Sequence, residues 1–244
     1  MSHPDDAAVV HRLHQPAQAV VGPFDRHVPL LRAVASLTPP DLAHDLQHVV
    51  RVYRWALRLA PEAGADPDLS GAAALLHDLV AVPKHLAARP LGAERSAVAA
   101  GGLLPRLGYS LGETEVVVDA IATHSWSRGL APRCAEGVVL QDADRLDAIG
   151  VVGFMRNIAV AEAMSRAAGD ARLRAFVHPT DPLWTTERPL DDRHLALDHW
   201  HEKLLKLRDG MHLPSARTEA ARRHAWMCSA LSQLSSELAS EGRL

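Results

Sequence analysis

Residues 72–80, AAALLHDLV, set an imidazole and a carboxylate side by side in an apolar run, at His77 and Asp78. Burying such groups is costly unless they are hydrogen-bonded or bind a cation. The dipeptide alone says little, because His44-Asp45 repeats it. Its surroundings say more. His44 and His48 stand at i and i+4, on one face of a helix, with Arg51 one turn further along. Asp142, Asp144 and Asp147 punctuate a third apolar stretch, VVLQDADRLDAIG. Imidazole nitrogens and carboxylate oxygens from three separate segments suit a first-row divalent ion such as Mn²⁺, Fe²⁺ or Co²⁺. One such ion would offset the burial of all these groups and acidify a bound water into a nucleophile at neutral pH.

The elements that must position these groups read as helices. Trp, Tyr and Phe make up only 4% of the 244 residues, and alternating β-branched runs are missing. Asp66-Pro67 offers an N-cap and an N1 proline before LSGAAALLHDLV. Ser110 and Glu113 form a capping box before TEVVVDAIATH. Thr38-Pro39 starts DLAHDLQHVVRVYRWALRLA, which is expected to end at Pro61. There Leu46, Val49, Val50, Tyr53, Ala56, Leu57 and Ala60 recur with helical period. A long helical segment is expected from about Glu136 to Ala168, with further helices near 191–208 and 215–240. Residues 176–189, with three prolines, read as an irregular excursion. The expectation is an all-α protein of about seven to nine helices. Residues 26–244 are expected to form one domain behind a poorly defined segment, 1–25.

Bulk properties narrow the function classes. An apolar share of 48% suffices for a sizeable core. A net charge of -3 provides no basic field for duplex nucleic acid or an anionic membrane. Cys134 and Cys228 are single and far apart, which argues against a disulfide framework or a thiolate zinc site. The N-terminal stretch has no signal-peptide layout, and no apolar run is long enough to span a bilayer. These features predict a soluble, cytoplasmic protein. The oligomeric state stays open, a homodimer included.

The order His … His-Asp … Asp resembles the HD-domain superfamily of metal-dependent phosphohydrolases. The resemblance implies His48, His77, Asp78 and Asp144 as metal ligands. His48 is matched because a helix continuing like HVVRV follows the family's first histidine, which leaves His44-Asp45 as a decoy. Asp144 is matched because the acidic residue before a basic one, here Arg145, binds metal in the family. Asp142 lies about 200° away around the helix and reads as a capping or salt-bridged carboxylate. ATHSWS (122–127), QDADRLDAIGVVG (141–153) and LDHWHEKLLKLRDGM (197–211) extend the similarity over roughly residues 40–235. They look like segments of a bacterial subgroup of small HD hydrolases associated with nucleotide pyrophosphohydrolase activity. LVAVPKHLAARP lacks the Glu that some HD enzymes use as general acid, so the proton donor to the leaving group stays open.

A phosphorylated substrate needs cations besides the metal. Arg51, Arg145 and Lys203 are the candidates, with Lys84 and Arg95 flanking the loop after the doublet. His199 is preferred to His201 because it shares a helix face with Lys203. His124, at the end of its own helix, is expected to face the site. Trp55 and Trp126 read as core. The resemblance implies hydrolysis of a nucleoside or deoxynucleoside triphosphate to the monophosphate and pyrophosphate, with Mn²⁺ ahead of Mg²⁺, Co²⁺, Fe²⁺ or Ni²⁺. His124, Arg145 and Lys203 would be the catalytic side chains. A phosphomonoesterase or cyclic-nucleotide phosphodiesterase is the alternative on the same scaffold. A di-iron oxygenase and a non-catalytic nucleotide-binding module are the alternatives from other classes.

Overall fold

The computed structural model describes residues 6–37, 45–80, 91–168 and 175–241. They contain eleven α-helices and no strand: α1 Asp6–Leu13, α2 Ala17–Val20, α3 His27–Leu37, α4 Leu46–Ala63, α5 Pro67–Leu76, α6 Gly92–Leu103, α7 Leu111–Thr123, α8 Ala135–Asp147, α9 Gly150–Ala168, α10 Asp198–Glu202 and α11 Pro214–Glu241. The all-α expectation is met. The count exceeds seven to nine because α1 to α3 precede the first helix read from the sequence, and because the long segment after Glu136 is broken. Two compact units divide the chain, residues 1–145 and 146–244.

In the first unit α5 packs against α3, α4, α6 and α7. Every residue from Leu69 to Leu76 is buried, so this helix is apolar all round, as a central helix must be. Its small residues let neighbours come close. A Cβ on Gly71 would lie 2.6 Å from His27 Cε1 and 2.9 Å from Tyr53 Cε2. The Asp66 carboxylate caps the helix, accepting from the Asp68 and Leu69 amides at 2.8 and 3.4 Å. The helix stops at Leu76 and does not run on to Val80. His77 is therefore its C-cap, and the doublet sits at a helix end rather than in the middle of one.

α4 begins at Leu46, capped by Asp45, whose Oδ1 accepts the His48 amide at 2.8 Å. The expected start at Thr38-Pro39, and His44, lie outside the described residues. The buried face follows the expected period from Leu46 to Ala60 except at Leu57, which is half-buried while Leu59 is buried. The helix does not end at Pro61. That proline falls in the last turn, where its missing N–H removes one bond without stopping the helix. Gly64 ends it at φ 62°, with its N–H on Ala60 O and Pro61 O. The Ser110–Glu113 capping box at the start of α7 is present in both directions.

The long helical segment expected from about Glu136 to Ala168 is two helices. Ala148 and Ile149 interrupt it, and Gly150 takes φ 76°, a conformation that favours glycine. In the second unit, α9 and a 3₁₀ segment, Leu204–Gly210, pack on α11. The helix expected over 191–208 shrinks to α10, because Lys203 leaves helical geometry at φ -133°. Residues 176–189 form the expected excursion. Buried Asp198 holds it by accepting from Arg188 Nη1 and Nη2 at 2.6 and 2.7 Å and from Trp184 Nε1 at 3.0 Å. No single helix among the described residues is long and apolar enough to cross a membrane.

Candidate metal centre

Three helix ends in the first unit build the centre. His48 is the third residue of α4, set by the Asp45 cap; His77 and Asp78 follow α5; and Asp144 lies near the end of α8. Their polar atoms converge. His77 Nε2 lies 3.2 Å from His48 Nε2. Asp78 Oδ2 is 3.8 Å from His48 Nε2 and 3.7 Å from His77 Nε2. Asp144 Oδ1 is 3.7 and 3.9 Å from the same two nitrogens. Atoms each about 2.1 Å from one ion stand about 3.0–3.4 Å apart at octahedral or tetrahedral angles. The observed spacings run from 3.2 to 3.9 Å, and His48, His77 and Asp78 offer atoms that all lie within 4.8 Å of one another, a set of imidazole nitrogens and a carboxylate oxygen that suits a divalent cation. Both imidazoles are buried, whereas the Asp78 and Asp144 side chains remain 26% and 28% exposed. The carboxylates thus mark the side from which solvent and ligands arrive.

The tautomers are fixed from behind. His77 Nδ1 lies 2.8 Å from Ala74 O, and a carbonyl only accepts, so Nδ1 carries the proton. That leaves Nε2 as the ring atom facing the cluster, the arrangement a metal-ligating histidine requires. His124 repeats the device at the end of α7, with Nδ1 donating to Ile121 O at 2.7 Å. Its ring stands edge-on to His77, with centroids 5.2 Å apart. Burial, reinforced by the His77 imidazole, lowers the His124 pKa, against the pull of Asp144 and Asp78. Burial works to raise the Asp144 carboxyl, but His77, His48 and His124 outweigh it and hold it below its ordinary value.

A family model for the HD domain matches residues 45–149, a span that holds every residue of this cluster. YpgQ of Bacillus subtilis is 31% identical over 206 residues, covering 83% of this chain and 88% of that protein. The chain belongs to the HD-domain family. The structure of B. subtilis YpgQ in complex with ADP aligns with a TM-score of 0.60 at 25% identity, over 85% of this chain and 97% of that one. A Lactobacillus plantarum protein aligns at 0.66 and 26% identity, covering 89% and 99%. An HD-superfamily hydrolase of Bacillus thuringiensis aligns at 0.58 and 28%, covering 87% and 98%. HD domains bind divalent metals, and this HD protein, with its His-His-Asp cluster, is a metal-dependent hydrolase.

The remaining expected site residues of this HD protein belong to both units. Arg145, beside Asp144, is buried; burial lowers its pKa while Asp142 and Asp144 pull it up. Its Nη2 donates to Gln141 Oε1, and its guanidinium lies 5.0 Å from the Trp126 ring centroid. Trp126 is therefore half-buried under a cation rather than core. Arg51 is half-buried on α4, one turn beyond His48. Arg95 is exposed on α6. Lys84 lies outside the described residues. Asp142 is fully buried, and Asp147 pairs with Arg156 at 3.0 Å within the second unit.

His199 and Lys203 belong to that second unit. His199 Nδ1 is 2.9 Å from Asp192 Oδ2, and the His201 ring lies tilted against Trp184 with centroids 4.3 Å apart. The shared helix face that favoured His199 does not exist, since α10 ends at Glu202, although the Lys203 amide still reaches His199 O at 3.0 Å. Gln141 was not read from the sequence. Its Nε2 donates to Thr123 O at 2.8 Å and Leu130 O at 3.0 Å, tying α8 to the residue before His124. The i, i+4 spacing of Gln141 and Arg145 was the available signal.

Proposed function

We propose that the protein is a nucleotide phosphohydrolase that cleaves nucleoside or deoxynucleoside triphosphates to monophosphates and pyrophosphate, with Mn²⁺ as its preferred ion. The observation that carries this reading is the convergence of His48, His77, Asp78 and Asp144, with the His77 proton held on the far nitrogen. These four residues would hold the ion, which when bound supplies Lewis acidity to water and to a phosphoryl oxygen. Support for a nucleotide comes from YpgQ, a relative crystallised with ADP.

The chain's own side chains do the rest. His124 presents its second nitrogen beside His77, held by Ile121 O, and positions the attacking water or a phosphoryl oxygen by hydrogen bonding. Arg145, a guanidinium of the kind that is not deprotonated in proteins, screens charge developing on the phosphate beside Asp144. Gln141 and Trp126 hold that guanidinium in place. Arg51, one turn beyond His48 on α4, is the further candidate for phosphate contact within the first unit. The domain is read as residues 26–244, preceded by the segment 1–25.

The test is an assay of the purified chain over ribo- and deoxynucleotides with Mn²⁺, with Mg²⁺ or with chelator, resolving pyrophosphate from orthophosphate. Metal-dependent pyrophosphate release, lost in Asp78→Ala, is the expected result. Orthophosphate alone from monoesters would transfer the reading to a phosphomonoesterase. No turnover of any phosphate ester, with two irons per chain, would overturn it.

A further inference from the structure

Beside the metal centre the first unit holds a cavity of about 330 Å³, at the lower end of the ~300–1,000 Å³ usual for small-molecule sites. Its apolar wall is Ala122, Leu130 and Ala131, and Glu94, Arg128 and Arg133 supply its charges. Thr123 also lines it, and the next residue, His124, packs edge-on against His77. The cavity therefore starts one residue from the proposed reaction centre.

The charges do not suit a phosphate. Arg133 is already paired with Asp119, and Arg128 Nη2 faces Glu94 Oε2 at 3.8 Å, so an anion would meet a carboxylate. They do suit a neutral, flat ligand with mixed hydrogen-bonding edges. Arg128 spends one N–H on Ala122 O at 3.3 Å and keeps only a long ion pair with Glu94. A guanidinium has five N–H donors, and a carboxylate about four acceptor sites, so both groups retain capacity toward the cavity.

We propose that this cavity binds the nucleobase of the substrate, and guanine in preference to the other bases. Guanine offers N1–H and the 2-amino group to the Glu94 carboxylate, and O6 and N7 to the Arg128 fork. Adenine reverses the donor at position 6 and lacks the 2-amino group, so it leaves Glu94 under-used. The apolar wall takes the face of the ring. The assignment presupposes a nucleotide substrate but adds which part of it the chain reads, and where.

Guanosine, which has no phosphate, separates the two ideas. Titration of guanosine and adenosine into the full chain, followed by saturation-transfer NMR, is expected to show guanosine binding the tighter. Glu94→Gln is expected to weaken guanosine about tenfold, the scale of one charged hydrogen bond lost. Arg128→Lys, which keeps the charge and loses the fork, is expected to do the same. In kinetics, the ratio of kcat/KM for GTP to that for inorganic tripolyphosphate should fall about tenfold in Glu94→Gln. The proposal is overturned if wild type does not bind guanosine, or if Glu94→Gln binds it unchanged, whatever the hydrolase activity. If Glu94-dependent guanosine binding persists but no triphosphate is cleaved, the cavity stands and only the reaction assigned above fails.

Discussion

The first unit buries histidines in two places, and they are built in opposite ways. At His27, the ring nitrogens are matched inside the protein. Nε2 lies 2.8 Å from Asp68 Oδ1, and Nδ1 lies 3.0 Å from the Tyr53 hydroxyl, which itself donates to Val21 O at 2.5 Å. The other Asp68 oxygen accepts from Arg26 Nε at 2.7 Å, and Arg26 Nη2 reaches Glu113 at 2.7 Å. Burial lowers the His27 pKa against the pull of Asp68; a carboxylate only accepts, so the Nε2 that faces it carries a proton. At His77 the proton sits on Nδ1, toward a backbone carbonyl, and Nε2 faces His48, with Asp78 and Asp144 just beyond. The same residue type thus serves as a clasp between helices in one place and as a lone-pair donor in the other. The choice is made by what stands behind the ring.

The largest effect should come from breaking the second cluster. Asp78→Ala is expected to cut hydrolysis at least about a thousandfold, the scale of several kcal/mol of lost charge stabilisation. Divalent-ion content, read by elemental analysis after dialysis, should fall with it. In chelator the variant should melt no lower than wild type, because Asp78 repels Asp144 when no ion is bound. Retained metal and activity would remove Asp78 from the centre. His27→Ala should do the converse. It leaves Asp68 and the Tyr53 hydroxyl short of a partner and should cost about 2–3 kcal/mol in urea unfolding, with metal content and kcat of the folded fraction preserved. If it also strips the metal, the two clusters are not independent.

A smaller, reversible difference lies in the response to the ion. Saturating Mn²⁺ at ~100 Kd should stabilise wild type and His27→Ala alike by about 2.7 kcal/mol, read as a rise in Tm. Asp144→Asn keeps the side-chain shape but loses a charge in the cluster, so its rise should be visibly smaller. An equal rise in Asp144→Asn would mean that the ion binds without that carboxylate.

Much of this contrast was legible in the residues, and the rest was not for identifiable reasons. The order of His48, His77-Asp78 and Asp144 led to the cluster because its residue types are costly to bury and carry the family's spacing. Asp66-Pro67 and the Ser110–Glu113 box marked helix starts correctly, since caps are local chemistry. Helix ends were harder. At the end of α5 the Nδ1 bond to Ala74 O ties the His77 ring back to the last turn, a side-chain contact that no dipeptide signals. Gly150 was visible, yet a glycine inside a helical pattern is ordinary until its φ is known. The Lys203 argument failed at the same point, where φ -133° ends the helix that would have aligned it with His199. His27 carried no signal at all. Its partners, Tyr53 and Asp68, come from other helices, and nothing in HVPLLRAV announces them.

The smallest expected effect tests the clasp by pH alone. Arg26, with the Ser110 amide and hydroxyl, holds the Glu113 carboxyl down to about 2, well below its ordinary value of 4.5. A carboxyl whose folded pKa is depressed stabilises the fold fully above its unfolded pKa and loses that contribution as pH falls through the folded one. The relevant window therefore runs from about pH 4.5 down to about 2. In Glu113→Gln the urea midpoint should fall less steeply across that window than in wild type, and the two should differ by a constant amount above pH 6. Because Glu113 is partly exposed and its partner Arg26 is too, the difference should also shrink with added salt. A Glu113→Gln profile parallel to wild type over that window would show that the arginine holds nothing at Glu113, and that His27 and Asp68 clasp α3 to α5 without it.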